Sequence, residues 1–175
     1  MVARANAAAA QLAEVTKTTI GFTDVVALTH TPADNSTWLY LVSAEARSSV
    51  TTSDVQIRAI HDTDTTVFAA ANYESREVTA PNDRFAFHGF YVKTYGASPG
   101  SQTISIEYAA EIDTVTVGVG NARIEGFELV ADDKNSAGSA TDNTSTDSTN
   151  WTDLTSAALT FTPGSAGDYL IVAHG

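Results

Sequence analysis

The sequence predicts an all-β protein, an antiparallel β-sandwich with a jelly-roll-like arrangement of about eight strands. Two observations predict this class. From Thr18 onward, short β-branched and aromatic runs are separated by Asp, Asn, Ser, Gly and Pro, which is typical of many strands joined by turns. Several runs also alternate polar and apolar residues with a period of two, most clearly in Gln102–Tyr108.

The strands are predicted at residues 26–31, 37–46, 55–61, 65–73, 85–95, 102–110, 114–120 and 123–130. An immunoglobulin-type topology is the alternative to the jelly roll. Trp38–Val42 is apolar on both faces, which predicts a central strand whose outer face is also covered. The inward phase slips by one residue around Gly89 and Gly126, which predicts a β-bulge at each glycine.

The first seventeen residues form a separate, alanine-rich arm. Ala7–Ala10 and the residues after it have a good helix composition, but the segment is too short to be a stable helix alone in water. We therefore expect a short helical or irregular arm over residues 1–17. It is either frayed or ordered against a partner or a neighbouring subunit.

An internal repeat divides the rest of the chain. Leu28–Pro32 (LTHTP) is matched 131 residues later by Leu159–Pro163 (LTFTP), and the strand after it matches in register, with Trp38–Val42 against Tyr169–Ala173. The predicted organisation is a β-sandwich module at 18–131, a Ser/Thr/Asp-rich linker at 132–150, and the first strands of a second module at 151–175. Two strands cannot bury a core. Residues 151–175 are therefore expected to begin a longer chain or to complete a sheet in a neighbouring molecule.

Composition and charge exclude several classes of function. The chain has 9 Lys and Arg against 21 Asp and Glu, a formal charge of −12, which opposes binding to nucleic acid and to anionic lipid. It has no cysteine, and so no disulfide framework or Cys-ligated metal. No apolar run is long enough to cross a bilayer, and the start lacks the apolar stretch of a signal peptide, so neither membrane insertion nor signal-directed export is expected.

No catalytic, cofactor or metal site is predicted. The four histidines, His30, His61, His88 and His174, form no metal-binding motif, and His30 is matched by Phe161 in the repeat, which favours a flat ring at that position. Glu125 and Glu128 have an odd spacing that places them on opposite faces of a strand unless a bulge intervenes. The possible oxygen ligands are explained better by turns and linker, and they are Asp62, Asp64, Asp142, Asn143 and Asp147.

Two stretches resemble the repeated β-sandwich modules of virion structural proteins in tailed bacteriophages. They are Thr160–Ala173, and Gln102–Tyr108 (QTISIEY) with Asn121–Ile124 (NARI). The resemblance implies a non-enzymatic fibre, spike or decoration protein, assembled in the host cytoplasm and displayed on the virion. Its expected partners are further copies of itself and other virion proteins, contacted through residues 1–17 and 151–175.

Two other functions remain open at this stage. A glycan-binding or adhesive module at an extracellular or cell-surface site would need exposed aromatic rings, for which Tyr73, Tyr91 and Tyr95 are the candidates, although burial in the core is the simpler explanation for each. A subunit of an extracellular filament joined by strand donation is the third possibility.

Overall fold

The computed structural model describes residues 5–73 and 84–129. In these ranges the chain is all β, with nine strands and no helix. The strands are β1 (Asn6–Gln11), β2 (Val15–Lys17), β3 (Thr23–His30), β4 (Thr37–Ser48), β5 (Val55–His61), β6 (Thr66–Tyr73), β7 (Phe85–Thr94), β8 (Gln102–Ala110) and β9 (Val117–Leu129).

The strands form two antiparallel sheets that pack face to face. Sheet A has the order β1-β9-β4-β7, with β2 also paired to β9, and sheet B has the order β3-β8-β5-β6. The pairs are nested: β5 pairs with β6, β4 with β7, β3 with β8, and β2 with β9. This is the pairing of one long hairpin wrapped around a core, which is how a jelly roll is built. The predicted jelly-roll-like sandwich is therefore confirmed, and the immunoglobulin-type alternative is wrong.

The amino-terminal segment differs from its prediction, because the alanine-rich stretch is a strand and not a helix. Asn6–Gln11 pairs antiparallel with β9, from Asn6 opposite Phe127 to Gln11 opposite Ala122. The side chains of Ala7 and Ala9 pack against the core cluster. A short isolated helix gains little from propensity alone, whereas pairing here satisfies the backbone groups at the edge of β9.

Pairing also corrects the predicted bulges. The register between β4 and β7 runs unbroken through Gly89, and the register between β4 and β9 runs unbroken through Gly126. The shift in β9 falls instead opposite Ser43–Glu45, beside Asn121, whose φ of +50° lies in the left-handed region. The two strands predicted at 114–120 and 123–130 are consequently one bent strand, β9.

Both glycines are explained by close approach of other groups. A Cβ atom at Gly89 would lie 2.6 Å from the Cβ of Ala69 in the facing sheet, and one at Gly126 would lie 3.1 Å from the ring of Tyr40. A side chain at either position would push apart groups that are in contact.

The core lies between the two sheets and is filled by every second residue of the long strands. Its largest fully buried apolar members are Tyr40, Ile57, Ile104, Ile106 and Ile124. Burial of these side chains supplies the main driving force for folding, in a chain that has no cysteine.

Several predictions fall outside the described residues. They are the linker at 132–150, the second copy at 151–175, and the residues His174, Asp142, Asn143 and Asp147. No helix long and apolar enough to cross a membrane occurs in the ranges that the structure describes.

Candidate functional site

Sheet A carries apolar side chains on the face that points away from the core. Along β4, Trp38, Tyr40 and Val42 belong to the core cluster, so Leu39 and Leu41 point outward. Leu39 lies between Val92 of β7 and Phe127 of β9, and Leu41 lies next to Phe90 of β7. We call these five residues, Leu39, Leu41, Phe90, Val92 and Phe127, the apolar patch.

The apolar patch combines buried and exposed members. Leu39 is only 6% exposed although it is outside the core cluster, whereas Val92 is 47% exposed. In the sheet, Leu39 is flanked on both sides by its cross-strand neighbours. A subunit neighbour or a loop over the outer face of Trp38–Val42 stays a prediction. The sequence suggested a phase slip at Phe90 and Val92, but an unbroken β7 instead places both on the outer face.

The other end of the same face is charged. Arg47 of β4 makes two hydrogen bonds with the carboxylate of Glu14, of 2.9 Å from Nε and 2.5 Å from Nη2. Arg84 donates to the same carboxylate at 2.7 Å. The hydrogen bond from Arg47 lowers the pKa of Glu14 against the opposing effect of burial, and the nearby charges of both arginines lower it further. Through this network, Glu14 attaches the connection between β1 and β2 to β4.

A chain of hydrogen-bonded side chains crosses the core at the end of the sandwich near the apolar patch. His30 Nε2 lies 2.7 Å from Tyr40 Oη, Tyr40 Oη lies 2.8 Å from Tyr95 Oη, and Tyr95 Oη lies 3.2 Å from His61 Nε2. His30 and His61 come from sheet B, whereas Tyr40 lies in sheet A and Tyr95 directly follows its strand β7. We call these four residues the His–Tyr chain, and it links the two sheets.

The His–Tyr chain ends beside a carboxylate. Nδ1 of His61 lies 2.8 Å from Oδ1 of Asp64, a close contact without the alignment of a hydrogen bond. Oδ2 of Asp64 accepts a hydrogen bond of 2.5 Å from Lys93. Burial raises the pKa of Asp64, but the hydrogen bonds from Lys93 and Thr66 outweigh that effect, so its pKa lies well below the usual range.

Burial dominates the protonation behaviour of the rest of the chain. It raises the pKa of Tyr40, and the hydroxyl of Tyr95 adds to this increase. It lowers the pKa of His30, with a smaller contribution from the charge of His61. Both tyrosine hydroxyls therefore stay protonated at physiological pH and act as donors.

The three predicted glycan-binding tyrosines occupy different positions. Tyr95 is 5% exposed and its hydroxyl bonds to Tyr40 and His61. Tyr91 is half-buried, and its ring stacks on Phe68 with centroids 4.9 Å apart. Tyr73 ends β6, opposite Val55. The position of Tyr95 favours a structural role, and glycan binding at these residues stays a prediction.

Two of the remaining candidate residues, Asp62 and His30, make side-chain contacts within the sandwich. Asp62 accepts a hydrogen bond of 2.6 Å from Ser105, and the ring of His30 lies 4.4 Å from that of Trp38. Because no bulge occurs at Gly126, Glu125 and Glu128 point to opposite faces of β9. Across residues 5–73 and 84–129, no group of three or more His, Asp and Glu side chains is placed to hold a metal ion.

Sequence reasoning did not find the His–Tyr chain. Three of its members lie on β3, β4 and β5, and the fourth, Tyr95, directly follows β7. Bonded neighbours are 10, 55 and 34 residues apart in the sequence. The match of His30 with Phe161 indicated a ring at that position, but no signal in the sequence indicated its hydrogen bond to Tyr40.

Comparisons with known proteins give only distant likenesses. No protein-family model matches the chain, and no curated protein sequence matches it. Among solved structures, Eiger TNF from S. frugiperda is similar over 81% of this chain and 99% of its own, at 8% identity and a TM-score of 0.48. An infectious bursal disease virus structure (Gt strain) is similar over 73% of this chain and 38% of its own, at 8% identity and a TM-score of 0.40.

A family 16 carbohydrate-binding module is similar over 62% of this chain and 73% of its own, at 11% identity and a TM-score of 0.35. Similarity at this level carries no argument about function. What the strand order and pairing define is an antiparallel jelly-roll sandwich.

Proposed function

We propose that the protein is a non-enzymatic structural protein of a bacteriophage virion, of the fibre, spike or decoration type, and that it acts by packing against further copies of itself. The observation that carries the proposal is the apolar patch on the outer face of sheet A. A solvated outer face normally alternates polar residues with the core residues of the same strand. Contiguous apolar side chains on such a face are typical of an interaction surface.

The occupant that we propose for this face is a second copy of the protein. Sheet A presents four neighbouring strands, which amounts to a flat area of roughly 600 Å² at the usual strand spacing and rise per residue. Standard protein–protein interfaces bury about 800 Å² per partner, so one sheet face of this size supplies most of such an interface. The resemblance of Gln102–Tyr108 and Asn121–Ile124 to phage virion modules, which assemble as multiple copies, supports the same conclusion.

The absence of nucleic-acid and membrane signals supports a structural role, since a net charge of −12 opposes both kinds of partner. The hydrogen-bonding groups of the His–Tyr chain are bonded to one another, and three of its four members, Tyr40, Tyr95 and His61, are buried. These observations favour packing over catalysis.

A charge introduced into the apolar patch tests the proposal. Val92→Glu places a carboxylate in the proposed interface, and Val67→Glu is the matched control, because Val67 is a valine of similar exposure, 43%, on sheet B. Sedimentation of the full chain is expected to show oligomers for the wild type and for Val67→Glu, and monomers for Val92→Glu. In a purified virion, density for the protein should lie on the outer surface with several copies in contact.

Two outcomes contradict the proposal. A wild-type chain that sediments as a monomer at about 100 µM would show that the face does not bind a second copy. A Val92→Glu variant that keeps the wild-type mass but loses thermal stability would show that the face is covered within one chain.

Glycan binding is the second candidate, and one observation favours it. Tyr91 and Phe68 stack nearly parallel, with 8° between their planes, where β6 and β7 meet at the edge of the two sheets. A half-exposed aromatic ring of this kind offers a flat apolar surface to a sugar ring. Binding on a glycan array that is lost in Tyr91→Ala and kept in Val67→Glu would support this candidate, whereas an array without signal would contradict it.

A further inference from the structure

The His–Tyr chain can hold only a fixed number of hydrogen atoms. It has three links, His30–Tyr40, Tyr40–Tyr95 and Tyr95–His61, and each link needs one hydrogen between its two heavy atoms. The two tyrosine hydroxyls supply two of these hydrogens. The third must come from Nε2 of one of the two histidines, and Nε2 of the other must then accept.

Counting protons gives the effect of charging the histidines. With both imidazoles neutral, or with one of them charged, one Nε2 atom still remains free to accept. With both imidazoles charged, each Nε2 carries a hydrogen, and four hydrogens face three links. One donor then loses its acceptor in a region where Tyr40 and His61 are 0% and 1% exposed, and a buried donor without an acceptor is costly.

The surroundings compensate one positive charge and not two. At the His61 end, Asp64 lies 2.8 Å from Nδ1 of His61 and also accepts a hydrogen bond from Lys93. Asp62 follows His61 in the sequence, and the ring of Tyr91 lies 6.0 Å from that of His61. At the other end, His30 lies against the uncharged ring of Trp38 and opposite Gln102 of β8. Within residues 5–73 and 84–129, no carboxylate contacts His30.

We propose that the His–Tyr chain is an acid-sensitive connection between the two sheets. Its hydrogen bonds persist when one imidazole is charged, and they break when the second imidazole is protonated. Opening separates the ends of β3 and β5 in sheet B from β4 and the end of β7 in sheet A. Acid thus loosens one end of the sandwich while the opposite end keeps its core. This proposal does not depend on the proposed role in a virion.

Equilibrium unfolding in urea between pH 8 and pH 4.5 tests the proposal on the full chain. If the unfolded state binds one proton more than the folded state, the folding equilibrium constant falls about tenfold per pH unit below the ordinary histidine pKa of about 6.5. The double variant Tyr40→Phe/Tyr95→Phe removes all three links, so a hydrogen on either histidine Nε2 no longer displaces another hydrogen. The disadvantage of the double variant relative to the wild type is therefore expected to shrink by up to about tenfold per pH unit below pH 6.5.

Tyr91→Phe is the matched control, because Tyr91 lies in the same region but its hydroxyl makes no hydrogen bond within the described residues. Its pH profile should parallel that of the wild type. If the double variant does not fold, the titration of the wild-type histidines tests the proposal without it.

Nuclear magnetic resonance supplies a readout that a purely structural role would not move. In the wild type, the imidazole signals of His30 and His61, assigned with a His30→Phe variant, should titrate at midpoints more than one pH unit apart. In Tyr40→Phe/Tyr95→Phe the two midpoints should approach each other. Wild-type histidines that titrate together, or a wild-type pH profile parallel to that of the double variant, would overturn the proposal.

Discussion

Removal of the Tyr40 hydroxyl measures how much the His–Tyr chain stabilises the sandwich. Tyr40 is fully buried, and its hydroxyl bonds to His30 at 2.7 Å and to Tyr95 at 2.8 Å. Tyr40→Phe keeps the ring, which packs across Gly126, so little packing is lost. Each lost hydrogen bond costs about 1 kcal/mol, and we expect the free energy of unfolding to fall by about 2 kcal/mol in total.

The assay is urea unfolding at pH 7.5, followed by circular dichroism. With a slope of about 2 kcal/mol/M for a domain of this size, the midpoint should fall by about 1 M while the slope stays constant. Tyr108→Phe is the control, since Tyr108 is also buried in the core but makes no hydroxyl hydrogen bond within the described residues. Equal midpoints for the two variants would refute the reasoning.

Three further predictions concern close packing, the arm and a pH effect. Gly89→Ala should lower the free energy of unfolding by about 1–3 kcal/mol, because its Cβ would lie 2.6 Å from that of Ala69. Gly96→Ala is the control and should change the free energy of unfolding little, because nothing lies within 4 Å of a Cβ there. Thermal unfolding of both variants measures the difference. Glu14→Gln should speed hydrogen exchange in β1 and β2, because it weakens the ion pairs with two arginines. Burial and two nearby carboxylates raise the pKa of Asp24, so Asp24→Asn should stabilise the protein at pH 7, and this gain should vanish as the pH falls through that pKa.

The period-two alternation predicted most of the strands because it reflects local geometry. Val55, Ile57 and Ala59 face the core, as do Ile104, Ile106 and Tyr108, and the corresponding strands β5 and β8 begin and end at the predicted residues. Side chains of a strand point alternately to opposite faces, so a sheet with one buried face imposes its pattern directly on the sequence.

Prediction failed where a distant partner decides the local structure. Ala7–Ala10 favours a helix by composition, but the free edge of β9, more than a hundred residues away in sequence, makes it a strand. Gly89 suggested a bulge, whereas its actual cause is Ala69 in the facing sheet. Propensity is a weak preference of a few tenths of a kcal/mol per residue, and tertiary contacts override it.

The sequence by itself determined that the protein is an acidic, cysteine-free all-β sandwich, because composition and alternation follow from solubility and from burial of one face of each strand. Only the tertiary structure decided which strands are neighbours, that Leu39, Leu41 and Val92 share one outer face, and that two histidines and two tyrosines meet in the core. These features depend on contacts between residues far apart in the chain, and a linear pattern carries no record of such contacts.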